Sequence, residues 1–177
     1  SDLDWDNTRD ITVVSREDGS GTRGAFVELF GIEEEVNGEK VDMTTEEANI
    51  TNSTSVMMST VAQDEYAIGY ISLGSLDDSV KAVKIDGIEA TAENIKNGSY
   101  KISRPFNIAT KEDLSDAAQD FEDFILSTEG QKVVEDNKYI PLDDVSDYKS
   151  NGASGKVVVA GSSSVSPVME KLKEAYQ

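Results

Sequence analysis

Arg16-Glu17-Asp18-Gly19-Ser20-Gly21-Thr22-Arg23 stands between a stretch that reads as a strand and one that reads as a helix. Upstream, Ile11, Val13 and Val14 with Thr12 are β-formers bounded by polar residues. Downstream, Phe26, Leu29 and Phe30 recur at i, i+3 and i+4, the helical period. The eight residues therefore deliver a Gly-Ser-Gly-Thr turn to a helix N-terminus. The first N–H groups there have no intrahelical partner and the dipole favours negative charge, so an anion is a natural guest. Gly19 and Gly21 let the backbone approach closely, Ser20 and Thr22 add hydroxyl donors, and Arg16 supplies a bidentate cation. Asp18 is placed to orient Arg16. Arg23, already within the helix, is expected to face solvent or a neighbouring acid.

Beyond this motif, strand and helix signals alternate, which argues for an α/β fold. Gly31 to Lys40 reads as a charged turn, and Asn52 to Ser55 as the hydroxyl-rich start of a short helix over Val56 to Ala62. Met57, Met58, Tyr66 and Tyr70 read as core. Ala67 to Ile71 and Val80 to Ile85 read as strands, with Asp86-Gly87 as a turn. A short helix follows Thr91 and ends near Gly98. Tyr100 to Ala109 is expected to be extended, because Arg104 precedes Pro105. Leu114, Ala117, Phe121, Phe124 and Ile125 mark an amphipathic helix within 111–127, and 131–135 a second, short one. Residues 143–155, rich in Ser, Asp, Asn and Gly, form the linker candidate. Lys156 to Ala160 reads as a strand. After Gly161-Ser-Ser-Ser-Val-Ser-Pro167, residues Val165, Val168, Met169, Leu172 and Tyr176 share one helix face. The strand, serine-rich loop and helix thus occur twice, and two such loops facing one another would surround a small anion.

Composition narrows the chemistry. The 177 residues hold 35 acids against 16 bases, a formal charge of −19. A surface that negative repels nucleic acid and anionic lipid, so neither is a general partner. An anion site here must hold its guest with locally aimed dipoles against the overall field. Cysteine and histidine are both absent, which removes thiolate nucleophiles, Ser-His-Asp triads and the usual transition-metal ligands. No metal or other cofactor is expected. The opening residues show no basic segment followed by an apolar run, so no secretion signal is visible. Trp5 there is a candidate packing anchor. A Gly-Ser-Gly-Thr turn by itself serves a helix cap as readily as an anion, and neither serine loop carries the Gly-Lys of a nucleotide phosphate loop.

Taken together, the motifs resemble a known family. Ile11 to Phe26 is similar to the central motif of the phosphate-binding proteins of bacterial Pst-type ABC importers. Ala67-Ile-Gly-Tyr-Ile-Ser72, Ser103-Arg-Pro-Phe106, Phe124 to Gln131 and Tyr139-Ile-Pro-Leu142 fall in that family's order. Residues 157–177 resemble its amino-terminal strand, loop and first helix, but here they come last, as in a tandem or permuted chain. The resemblance implies a type II periplasmic-binding-protein-like α/β fold, one α/β lobe plus part of a second. Residues 1–99 would form the second lobe. Residues 100–177 would supply part of the first, as 100–142, the linker 143–155 and the terminal strand, loop and helix 156–177. Arg16, Ser20, Gly21 and Thr22 would bind phosphate, Asp18 would pair with the arginine, and Ser163 and Ser164 would donate from the first lobe. The family's proton-accepting aspartate has no counterpart here, which leaves phosphate against sulfate open.

The function implied is capture of inorganic phosphate for a membrane ABC permease, outside the cytoplasmic membrane and anchored to it in the full-length protein, with no catalysis. Two alternatives stand beside it. One is a serine-dependent hydrolase or phosphotransferase using Ser20, which needs a base beside it; the sequence places none of Lys40, Lys81 and Lys84 there. The other is an interaction module that has lost its ligand.

Overall fold

The computed structural model describes residues 8–177; Trp5 lies outside them. Strand β1, Thr12–Arg16, is the centre of a three-stranded sheet. It pairs in parallel with β4, Asn49–Thr51, on one side and with β5, Ala67–Ile68, on the other. Helix α1, Gly21–Phe30, follows β1, and helix α2, Thr54–Gln63, links β4 to β5. The chain therefore leaves β1 in one direction and returns past it in the other. In open parallel sheets, ligands settle at the carboxyl ends of strands at such a reversal. Both α1 and α2 begin at that edge. Val14, Val27 and Met57 form the buried apolar centre of this first unit. Gly69 leaves room for α2, since a Cβ there would lie 2.5 Å from the sulfur of Met57.

The segment read as a charged turn is a hairpin. Strands β2, Glu33–Val36, and β3, Glu39–Asp42, pair antiparallel around Asn37 and Gly38, both with positive φ. Asn-Gly is the strongest two-residue hairpin signal, hidden here by flanking glutamates of low β propensity. Gly31 ends α1 in the left-handed conformation, and Ile32 N–H returns to Val27 O at 2.8 Å.

The chain divides into two compact units after Ala82, earlier than the 99/100 division expected. Helix α3, Ala92–Lys96, thus groups with α4, Asp116–Ile125, α5, Thr128–Asp136, and α6, Ser166–Tyr176. Lys96 lies 3.9 Å from Asp143, and α3 lines one cavity with Tyr139 and Pro141. The core of this second unit is Phe121, Phe124, Tyr139, Val168 and Leu172. The apolar face read on α6 is therefore the face it buries. Burial of Val168 and Leu172 stabilises the unit by about 1.5–3 kcal/mol each.

Two strand readings fail and a third is met only in part. Residues 80–85 and 156–160 form no ladder, and β5 stops at Ile68. Val158 and Val159 are 79% and 50% exposed. Strand-forming residues need a neighbouring backbone to receive their N–H and C=O groups, and no named strand lies in the second unit among the described residues. Asp86-Gly87 does turn, closing a bridge between Ile85 and Ile88. The segment 143–155 is more than a linker. It crosses α4, where Asn151 N–H, Tyr148 and Ser150 all donate to Asp120.

Candidate anion site

Arg16 ends β1 with its side chain only 2% exposed. A buried guanidinium needs a counter-charge, and Glu17 supplies it. Arg16 Nε donates to Glu17 Oε2 and Nη2 to Oε1, both at 2.9 Å, a bidentate fork. That bond holds the Glu17 carboxyl below its ordinary range. The backbone of Arg16 is secured as well. After Ile68, strand β5 parts from β1, and Tyr70 replaces the lost ladder partner by accepting the Arg16 N–H at 3.1 Å. The Tyr70 hydroxyl also bonds Ser15 Oγ at 2.8 Å, and its ring stacks on Phe26 of α1 at 4.1 Å. On the other side, Glu17 N–H donates to Thr51 O, and Thr51 Oγ1 to Ser15 O.

The turn that follows is closed by Ser20 N–H to Glu17 O and by Gly19 at φ +79°, a conformation that favours glycine. Ser20 is the N-cap of α1, its Oγ accepting the Arg23 N–H at 3.3 Å. Gly21 and Thr22 are then the first two helical residues, the positions whose N–H groups point out of the helix. Thr22 Oγ1 is buried and has no hydrogen-bond partner. A hydroxyl left so costs roughly 1–3 kcal/mol.

The acid on Arg16 is not the one expected. Asp18 Oδ1 accepts instead from Arg23 Nη1 at 2.9 Å. Side chains of adjacent residues point apart within a strand, so Glu17 was a poor sequence candidate, but the strand ends at Arg16 and the turn brings the two together. Arg23 does reach neighbouring acids, Asp18 and Asp42, and in addition the Arg16 carbonyl. Glu17, Tyr70 and the Arg23–Asp42 pair are thus parts of the site that sequence reasoning missed. The hydroxyls at 52–55 act as read, with Ser53 capping α2 through Val56 N–H.

Ser163 and Ser164 belong to the second unit, at the start of α6. Ser164 is buried. Its Oγ bonds Ser162 Oγ at 2.8 Å, and its carbonyl accepts the Tyr139 hydroxyl at 3.0 Å. Lys40 is paired with Glu33 and Lys84 with Glu89, so two of the three lysines considered as bases hold carboxylates of their own.

A strand-end arginine beside a capped helix N-terminus with an orphaned hydroxyl is chemistry for a small oxyanion. Comparison with known proteins points the same way. The family model described as "PBP superfamily domain" matches residues 3–129. The chain belongs to the PBP superfamily. Its fold is the family's α/β fold, with a parallel sheet flanked by helices. Phosphate-binding protein PstS 2 of Streptococcus agalactiae is 65% identical over 168 residues, which cover 94% of this chain and 57% of that protein. The chain thus spans little more than half the length of the curated relatives it matches. So long a match includes most of residues 143–177, so the serine-rich segment follows the rest in that relative too. A crystal structure of a phosphate ABC transporter, phosphate-binding protein from Streptococcus pneumoniae, 51% identical, superposes with a TM-score of 0.77, covering 94% of this chain and 65% of that one. A protein from Clostridium perfringens, described as a phosphate ABC transporter substrate-binding protein and solved with bound phosphate, is 47% identical with a TM-score of 0.66. It covers 75% of this chain, which matches 52% of it.

Proposed function

We propose that this chain carries the phosphate-holding loop of a solute-binding protein serving an ABC importer. The observation that carries the reading is the buried, unpartnered Thr22 hydroxyl at the first turn of α1, in the helix that follows the strand ending at Arg16. An oxyanion seated on the turn takes the Thr22 hydrogen, the Ser20 hydroxyl hydrogen, the N–H groups of Gly21 and Thr22, and charge from Arg16. The names borne by the relatives support phosphate as the anion and an ABC transporter as its setting; a membrane permease as partner and a location outside the cytoplasmic membrane, with an anchor in the full-length protein, complete the reading. Binding without turnover is the expected activity, because Ser20 Oγ is engaged in capping and, among the described residues, no base is bonded to it.

Calorimetric titration of phosphate and, separately, sulfate into the wild type and Arg16→Ala tests this. The expected result is uptake of phosphate by the wild type and at least tenfold weaker uptake by the variant, roughly the loss of one charge-assisted bond. A wild type that takes up neither anion, or a variant that binds equally well, overturns the assignment. Release of product from aryl phosphates or aryl esters that vanishes in Ser20→Ala would establish the enzyme instead.

A further inference from the structure

Arg23 is the third residue of α1, and its side chain is 15% exposed. From there it spans the loop crosswise. Nη1 donates to the Arg16 carbonyl and to Asp18 Oδ1, both at 2.9 Å, and Nε donates to Asp42 Oδ2 at 2.7 Å. We propose that Arg23 is the positioning residue of the anion loop, fixing the N–H donors of Gly21 and Thr22 in place relative to the Arg16 guanidinium. The proposal rests on the reading of this loop as a phosphate site.

The need for such a brace follows from the loop itself. Between Arg16 and Thr22 the chain contains two glycines, and its turn is closed through the Ser20 N–H to Glu17 O bond. Glycine backbones are loose, and donors stabilise an anion fully only when they are held in position before it arrives. Arg23 joins the two ends of the loop, the last carbonyl of β1 and the first turn of α1, to a third element, the β2–β3 hairpin. Asp42 ends the β2–β3 hairpin and is itself held by the Thr44 N–H at 2.7 Å. Burial pushes its carboxyl up in pKa, but the bonds from Thr44 and Arg23 outweigh that and hold it below its ordinary value. Asp18, with a side chain 97% exposed, adds little. The planar fork of arginine reaches three acceptors in different directions, which a lysine ammonium at the same place cannot match in geometry.

Charge and position make opposite demands at Asp42. Removing its negative charge makes the surroundings more favourable to an anion by coulombic attraction alone, whereas releasing Arg23 loosens the loop. The test is phosphate titration of the full chain as wild type, Arg23→Gln, Arg23→Lys, Asp42→Asn and, as a control on the same hairpin, Lys40→Gln. Melting curves and the amide resonances of Gly21 and Thr22 are recorded without ligand. The expected result is about tenfold weaker phosphate binding in both Arg23→Gln and Asp42→Asn, shifted Gly21 and Thr22 amides in both, incomplete rescue by Arg23→Lys, and wild-type affinity in Lys40→Gln. A wild type that binds no phosphate overturns the reading of the site. A wild type that binds, with Asp42→Asn as tight or tighter or Arg23→Lys fully restored, overturns the role of Arg23 alone. So does a lower melting temperature with unchanged affinity, which would make Arg23 a stabilising residue only.

Discussion

The Tyr176 hydroxyl donates to Asp120 Oδ2 at 2.7 Å, joining the last turn of α6 to α4 across fifty-six positions of chain. Tyr148 donates to the same oxygen at 2.5 Å and Ser150 at 3.2 Å, while Asn151 N–H takes Oδ1 at 2.5 Å. No cation among the described residues is involved. Four neutral donors satisfy one carboxylate and hold the strap 143–155 and the terminal helix on one side of α4.

Asp120 is accordingly held down to a pKa of about 2 from its ordinary 3.8, first by the Tyr148 bond and then by the Asn151 amide. Its folded pKa lies below its unfolded one, so its contribution is complete above pH 3.8 and is lost as pH falls through about 2. Asp120→Asn should lower the melting temperature by several degrees at pH 7. The gap between variant and wild type should narrow on acidification through that window. A gap that stays constant down to pH 2 would show that the bonds do not depend on the carboxylate charge.

Removal of residues 156–177 should destabilise the second unit strongly. Val168 and Leu172 leave the core, exposing Phe121, Phe124 and Tyr139. A lower melting temperature or aggregation on heating is expected. A truncated chain with an unchanged melting curve would mean that α6 is not part of the cooperative unit.

Gly130→Ala offers a test with an unusual sign. Inside a helix that exchange ordinarily stabilises by up to about 1 kcal/mol. Here the new Cβ would lie 2.1 Å from the carbonyl oxygen of Phe124 and 2.8 Å from that of Ile125. Those are backbone atoms at the α4–α5 corner, where Ser127 caps α5, and they cannot swing aside. A loss on the order of 1–3 kcal/mol in urea unfolding is expected.

Thr22→Val separates stability from binding. The substitution replaces an unpartnered buried hydroxyl with a methyl of similar shape, so the ligand-free protein should be as stable as the wild type or more so, by about 1 kcal/mol. Phosphate affinity should nonetheless fall roughly tenfold. Unfolding curves and titration of the same samples show whether the two move in opposite directions.

Much of the local structure was legible because it depends on near neighbours. Ser20, Ser53 and Thr91 each cap the helix that follows through an N–H three residues on, a bond spelled by residue type and spacing; Ser115 and Ser127 do the same for α4 and α5, at starts that the sequence reading did not place. The apolar period of α6 named its buried face, and Gly19, Ser20, Gly21 and Thr22 stand at the helix start where the motif put them. The α/β class followed from the alternation of such segments.

The acid that holds Arg16, the brace from Arg23 to Asp42, and the phenol of Tyr70 under the Arg16 amide were not legible. Each depends on where a strand stops or on a hairpin whose register brings a distant residue close. The same holds for 156–160, whose valines have the composition of a strand but no ladder to join, and for 143–155, polar enough to read as a linker but anchored on a buried carboxylate. Sequence alone determined which turn opens which helix, because caps and periodicity are local hydrogen bonding and side-chain direction. Tertiary structure decided which charges pair and which β-formers become strands, because those partners come from remote parts of the chain and only the fold brings them within bonding distance.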